Sequence, residues 1–208
     1  VAEREGFDAL ALGCFFDPGL RAARSLVDIP IVGLGETCAL VACSHARKFG
    51  LVTLCEDQSA DYTDLMLAYG LERRFTGALA LDPPIDEFAL EADEKTARAI
   101  EERFDLACAA MIARGPETII PADGVLNEFL VRRRRLTARG GVPVMDSLGT
   151  LFQHAAFLVK LARTTGTSIS RHQMYAKPSA GMVEHVRGFS GERKLERDFS
   201  EGPSPMTP

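Results

Sequence analysis

Tryptophan is absent from this 208-residue chain, and tyrosine occurs only three times. Missing too is any uninterrupted apolar run of about 20 residues, the length a helix needs to cross a bilayer, so no membrane span is expected. No secretory leader is read at the start. Positive charge is in short supply, with 24 Lys and Arg against 29 Asp and Glu and a net charge of -5. A phosphate-binding surface needs the opposite balance, so nucleic acid is not expected as a partner. The one local exception is the arginine run at 132–135. It falls late in a predicted helix, where cations suit the negative end of the helix dipole, and is read as a solvated helix end.

Other absences narrow the chemistry. The five cysteines are odd in number and form no CxxC pair. Most lie in apolar stretches, which argues against a disulfide framework or a zinc site and fits a reducing cytoplasm. None of the four histidines stands in HExxH or another metal-ligand spacing, so no metal is expected. Gly33-x-Gly35 lacks the third glycine and the acidic partner of a dinucleotide fingerprint, and neither a P-loop nor a GxSxG elbow occurs. The chain is read as needing no cofactor.

What is present is an alternation of short apolar runs and helical patterns. Residues 9–13, 29–34, 49–54, 75–81, 117–122 and 142–146 read as buried strands. Helices are predicted between them, at about 17–27, 36–47, 61–69, 92–114, 124–134 and 149–164. The first is expected to take Asp17 as its N-cap and Pro18 as its first helical residue. The longest places Ala97, Ile100, Phe104, Ala107, Cys108 and Met111 on one face at the helical period. Such alternation implies an α/β fold of parallel sheets flanked by helices, within a chain long enough to bury a substantial core. The residues beyond about 188 are polar and rich in Pro and Ser, and are expected to be a disordered tail.

Two stretches repeat the same pattern, residues 7–48 and 116–160. Each opens on an acid (Asp8, Glu117) and reaches a reactive type of side chain six positions later, Cys14 in one and Asp123 in the other. Each continues through a helix, a strand beginning Ile29-Pro30 or Val142-Pro143, and a second helix opened near Gly35 or Gly149. A duplicated unit predicts two pseudo-symmetric lobes with the active site in the cleft between them. The first lobe is read as 1–48 with roughly 165–187, and the second as 49–164. The second carries a strand–helix–strand–helix stretch that the first lacks, so the first is expected to be incomplete at its N-terminus.

Ligands of open α/β sheets bind beyond the carboxyl ends of strands, where Cys14 and Asp123 would sit. There a thiol gains from free backbone N–H groups at a helix start, although a free cysteine also serves as a small buried hydrophobe. Asp123 reads equally as the N-cap of the helix at Gly124. Cys38, Cys43 and Cys108 read as core, Cys55 as intermediate, and His154 as core or helix surface. A Cys/His hydrolase would need a histidine beside Cys14, and the sequence places none there.

The segments GCFFDPGL (13–20), DIPIVGLGE (28–36), KFGLVTL (48–54) and RHQMYAKP (171–178) resemble the aspartate/glutamate/hydantoin racemase superfamily, closest to its hydantoin-racemase-like branch. The likeness extends over most of residues 1–180. It implies cofactor-independent chemistry at a carbon next to a carbonyl, with one cysteine from each lobe acting as base and acid. Cys14 matches the first cysteine. The second position, a Gly-Cys-(Thr or Ala)-Gly pattern in the family, here reads Ala122-Asp123-Gly124, and the family's Asn-Pro-Asn-Thr-like loop has no counterpart at the start of the chain.

The expected function is therefore a racemase or isomerase of a small hydantoin or amino-acid-like carboxylate. Cys14 and Asp123 would transfer the protons, and Phe15, Phe16, Gly35, Glu36, Thr53, Gly124 and Val125 would shape the pocket. Backbone N–H groups at the two helix starts would hold the developing oxyanion. A one-cysteine decarboxylase, a cis–trans isomerase and an inactive anion-binding homologue stay open, as does a homo-oligomeric state.

Overall fold

A computed structural model describes residues 2–54, 59–85, 87, 90 and 93–189, with Arg187 and Phe189 represented by backbone alone. Cys55 and the tail from 190 onward lie outside the described residues.

Five strands are described: β1 (Leu10–Leu12), β2 (Ile31–Gly33), β3 (Phe49–Thr53), β4 (Phe75–Ala80) and β5 (Thr118–Pro121). Between and after them run α1 (Leu20–Leu26), α2 (Leu34–His45), α3 (Ser59–Ala68), α4 (Glu94–Ile112), α5 (Gly124–Arg132), α6 (Ser147–Thr165) and α7 (Ala180–Phe189). β1 and β2 form one parallel sheet, with Leu10 opposite Ile31. The other sheet is also parallel, in the order β4-β3-β5. β3 is buried at every residue, as the run FGLVT requires of a strand covered on both faces.

The expected strand at 142–146 is reduced to isolated bridges, Ile119 with Val144 in parallel and Thr137 with Pro143 antiparallel. Pro143 has no N–H to extend a ladder. The segment nonetheless lies along β5, since Ile119 N donates to Pro143 O at 2.9 Å and Met145 N to Ile119 O at 2.9 Å. β5 and this segment thus neighbour each other as β1 and β2 do, which is the repeat seen in space.

The first helix also departs from expectation. It begins at Leu20, with Gly19 as N-cap at φ 71°, and Asp17 does not cap it. Asp17 is buried at φ 49°, a left-handed conformation Asp tolerates better than most residues. Its carboxylate reaches the start of α2 instead, accepting from Gly35 N at 3.1 Å and Glu36 N at 2.7 Å, and from Tyr69 Oη at 2.6 Å. Burial raises its pKa, opposed by those three bonds.

α4 buries the six apolar residues its period predicted, and Asp93 caps it by accepting from Thr96 N at 2.8 Å. The arginine run is not simply solvated. Arg133 pairs with Glu94 and Glu101, and Arg135 with Asp105, so the end of α5 is fastened to α4 by charge. One apolar cluster packs α4 on the three-stranded sheet through Val52, Ile100, Phe104, Met111 and Ile119. A second is continuous across both sheets: Val32, Leu34 and Cys38 meet Phe49, Leu51, Ile120, Met145 and Leu151. Beyond α6, Arg171 donates to Arg24 O at 2.9 Å and joins Lys177 in pairing with Asp28, which packs the last described segment beside α1.

Candidate active site

The loops that follow β1 and β5 meet. A Cβ added at Gly124 would stand 3.4 Å from Gly13 O. Cys14 follows Gly13 and Asp123 precedes Gly124, so the two equivalent positions of the repeat face one cavity of about 370 Å³. Its wall includes Cys14, Phe15, Phe16, Asp123, Gly124 and Val125, six of the nine residues expected there from sequence. Gly13, Tyr62, Glu87, Ala122, Glu128 and Leu148 also line it.

Gly35, Glu36 and Thr53 do not line this cavity. Gly35 lies behind the Cys14 loop, so close that a Cβ would sit 2.2 Å from Phe15 O. The glycine serves the chain's own backbone rather than a ligand. Glu36 turns away to a largely buried ion pair with Arg24. Thr53 is buried beneath the floor, its Oγ1 3.4 Å from Tyr62 Oη.

Cys14 is exposed, whereas Cys38 and Cys108 are buried and Cys43 is partly so. Burial pushes the Cys38 and Cys108 thiols up to about 12, which keeps them protonated and inert. Cys14 sits on a turn closed by Asp17 N donating to Cys14 O at 3.1 Å, with α1 starting only at Leu20. The helix start expected beside the thiol is therefore displaced by the Pro18-Gly19 turn.

Asp123 does cap α5. Its Oδ1 accepts from Val125 N at 2.8 Å and Leu126 N at 3.2 Å. Those two N–H groups of the α5 start, expected from sequence among the holders of an oxyanion, are thereby engaged by Asp123. Oδ2 accepts none of the protein's hydrogen bonds among the described residues and is the oxygen left for the cavity.

No histidine lines this cavity among the described residues, which leaves a Cys/His hydrolase without its base. His154 belongs to a larger cavity of about 770 Å³ between α2 and α6, which holds no thiol. Burial lowers its pKa, and its Nδ1 lies 3.1 Å from Thr37 Oγ1. Size alone favours that cavity, but the smaller one brings together an exposed thiol, a carboxyl and an aromatic wall, the groups that proton transfer at carbon requires. Among the described residues no cluster of His, Cys, Asp and Glu could hold a metal ion.

A family model described as Asp/Glu/Hydantoin racemase matches residues 1–155. The chain belongs to the Asp/Glu/hydantoin racemase family. It is 30% identical over 177 residues to the hydantoin racemase of Rhizobium meliloti, a match covering 85% of this chain and 68% of that protein. The hydantoin racemase of Pseudomonas sp. (strain NS671) is 28% identical over 194 residues, covering 88% and 71%. Among solved structures, the allantoin racemase from Klebsiella pneumoniae superposes with a TM-score of 0.69 at 26% identity, covering 86% of this chain and 68% of that one. The glutamate racemase isoform RacE1 from Bacillus anthracis, at 15% identity and a TM-score of 0.54, shares the fold. Racemisation, an isomerisation of a small molecule, is accordingly the activity class of this family member, and the decarboxylase, cis–trans isomerase and inactive readings gain nothing from these relatives. No described helix is long and apolar enough to cross a membrane.

Proposed function

We propose that the chain interconverts the enantiomers of a small hydantoin-type substrate by proton transfer at the carbon beside its carbonyl, with Cys14 and Asp123 as the two transferring groups. The observation that carries this reading is the placement of both residues around one cavity, from equivalent positions of a repeated unit. The relatives named hydantoin racemase supply the substrate class.

The electrostatics favour a neutral ring over an α-amino carboxylate. Asp123, Glu87 and Glu128 line the cavity, and no Lys or Arg joins them among the described residues. An anionic wall repels a carboxylate substrate, whereas the N–H groups of a cyclic ureide can donate to it. Phe15, Phe16, Val125 and Leu148 provide an apolar side that excludes water from the reacting carbon.

In one direction, the Cys14 thiolate takes the α-proton from one face as charge moves onto the carbonyl oxygen. A protonated Asp123 Oδ2 then returns a proton to the other face. The products are the opposite enantiomer, a Cys14 thiol and an Asp123 carboxylate, and the reverse reaction starts from that pair. Two protonation forms of the pair thus serve the two directions. Exchange of protons with water between turnovers restores the other form. The free thiols of the described cysteines support a reading of this chemistry as cytoplasmic.

The test is α-proton exchange and loss of optical rotation with a 5-alkylhydantoin in heavy water. Cys14→Ala is expected to abolish turnover with the fold intact. Asp123→Asn keeps a good helix cap, so a loss of about 10²–10⁴-fold marks it as a proton donor and acceptor. A loss of less than about threefold would reduce Asp123 to its capping role. Absence of exchange with hydantoins would remove the racemase assignment to this cavity.

A further inference from the structure

The two walls of the cavity come from loops more than a hundred residues apart in sequence, and one side chain from a third element touches both. Tyr62 lies on α3 and is buried at 1% exposure. Its Oη donates to Ala122 O at 2.8 Å, the carbonyl immediately before Asp123. Its ring stacks on Phe16 with centroids 4.6 Å apart and planes 5° apart. It also meets Phe15 edge-on, at 5.5 Å and 88°. Phe15 and Phe16 immediately follow Cys14. The phenol therefore holds the residue next to one reactive group, while the ring holds the two residues next to the other.

We propose that Tyr62 is a positioning residue that fixes the spacing between the Cys14 and Asp123 walls, so that a proton removed on one face is answered from the other. This rests on the reading of Cys14 and Asp123 as the transferring groups. A buried tyrosine hydroxyl needs hydrogen-bond partners, and here, beside Thr53 Oγ1, it finds one on the opposite wall. The tie is rigid on both sides: Ala122 is buried and its N–H donates to Val52 O at 2.8 Å, while Phe15 is buried behind the Cys14 turn. A two-faced transfer depends on this spacing in a way that one-faced exchange does not. Cys14 alone can remove a proton and return a deuteron to the same face, but inversion requires Asp123 at the matching distance.

Tyr62→Phe removes only the hydroxyl and keeps both ring contacts. With 5-isobutylhydantoin in heavy water, the ratio of inversion to α-proton exchange is expected to fall roughly tenfold, within the hundredfold range that a 1 Å misplacement produces. KM is expected to stay close to the native value. Phe16→Leu, which loosens the other arm and leaves the phenol–Ala122 bond in place, is expected to lower the same ratio. A merely structural tyrosine would reduce exchange and inversion together, in step with thermal stability. Cys14-dependent exchange with an unchanged ratio in both variants overturns the clamp and spares the proton-transfer reading. Absence of exchange in the native protein, or exchange that survives Cys14→Ala, removes that reading and the clamp with it.

Discussion

At the scale of single residues, glycine does more for this site than the sequence shows. Gly35 has no room for a side chain, because the blocking atom is the backbone oxygen of Phe15, one residue after the thiol. Gly35→Ala must therefore push the Cys14 turn or the start of α2. We expect a loss of about 1–3 kcal/mol in denaturant unfolding, as overpacking produces, together with reduced turnover because Cys14 moves. Unchanged stability and activity would show that the turn yields freely. The same residue marks where sequence reading stopped. Cys14 and Asp123 were legible because a repeat with equal spacing names equivalent positions without any structure, and Phe15, Phe16, Gly124 and Val125 came with them as covalent neighbours. Gly35 and Glu36 were misplaced because a glycine held for close approach looks the same whether its neighbour is a ligand or the chain itself. Tyr62, Glu87 and Leu148 reach the cavity from distant elements by packing alone, and no local pattern marks them.

At the scale of elements, caps and charges decide where helices start and what they hold. Asp17 shows why helix starts are hard to read: it precedes Pro-Gly in the expected order, yet it caps α2, a partner 18 positions on. The α4–α5 contact offers a test by pH. Hydrogen bonds from Arg133 and then Arg98 hold the Glu94 carboxyl down at about 2, against an ordinary 4.5. A depressed carboxyl stabilises the fold at pH above the unfolded value, and that stability is lost as pH falls through the folded one. The melting-temperature difference between the native chain and Arg133→Gln is thus expected to be full above about pH 4.5 and to shrink toward about pH 2. A difference that stays constant over that range would assign the contact to packing rather than charge. α4 was the most legible helix, since six apolar residues at one period specify one buried face. The segment at 142–146 was less so: its apolar run matches a strand, but Pro143 removes the donor a ladder needs.

At the scale of the whole molecule, the repeat predicted two lobes, and the core joins them. Leu51 and Ile120 from one sheet share a cluster with Val32 and Leu34 from the other unit. Unfolding is therefore expected as one transition, with far-ultraviolet dichroism and tyrosine fluorescence coinciding. Leu51→Ala, at a fully buried position, should lower stability by about 2–5 kcal/mol and shift both signals together. Two separated transitions would show that the sheets unfold independently. The shared core also bears on how substrate enters. Rigid-body opening needs an interface that can part, and a continuous apolar core between sheets resists parting. Admission to the cavity then belongs to the short loops at its rim and not to a hinge. For the ring substrate proposed above, bulk is consequently limited by loop reach.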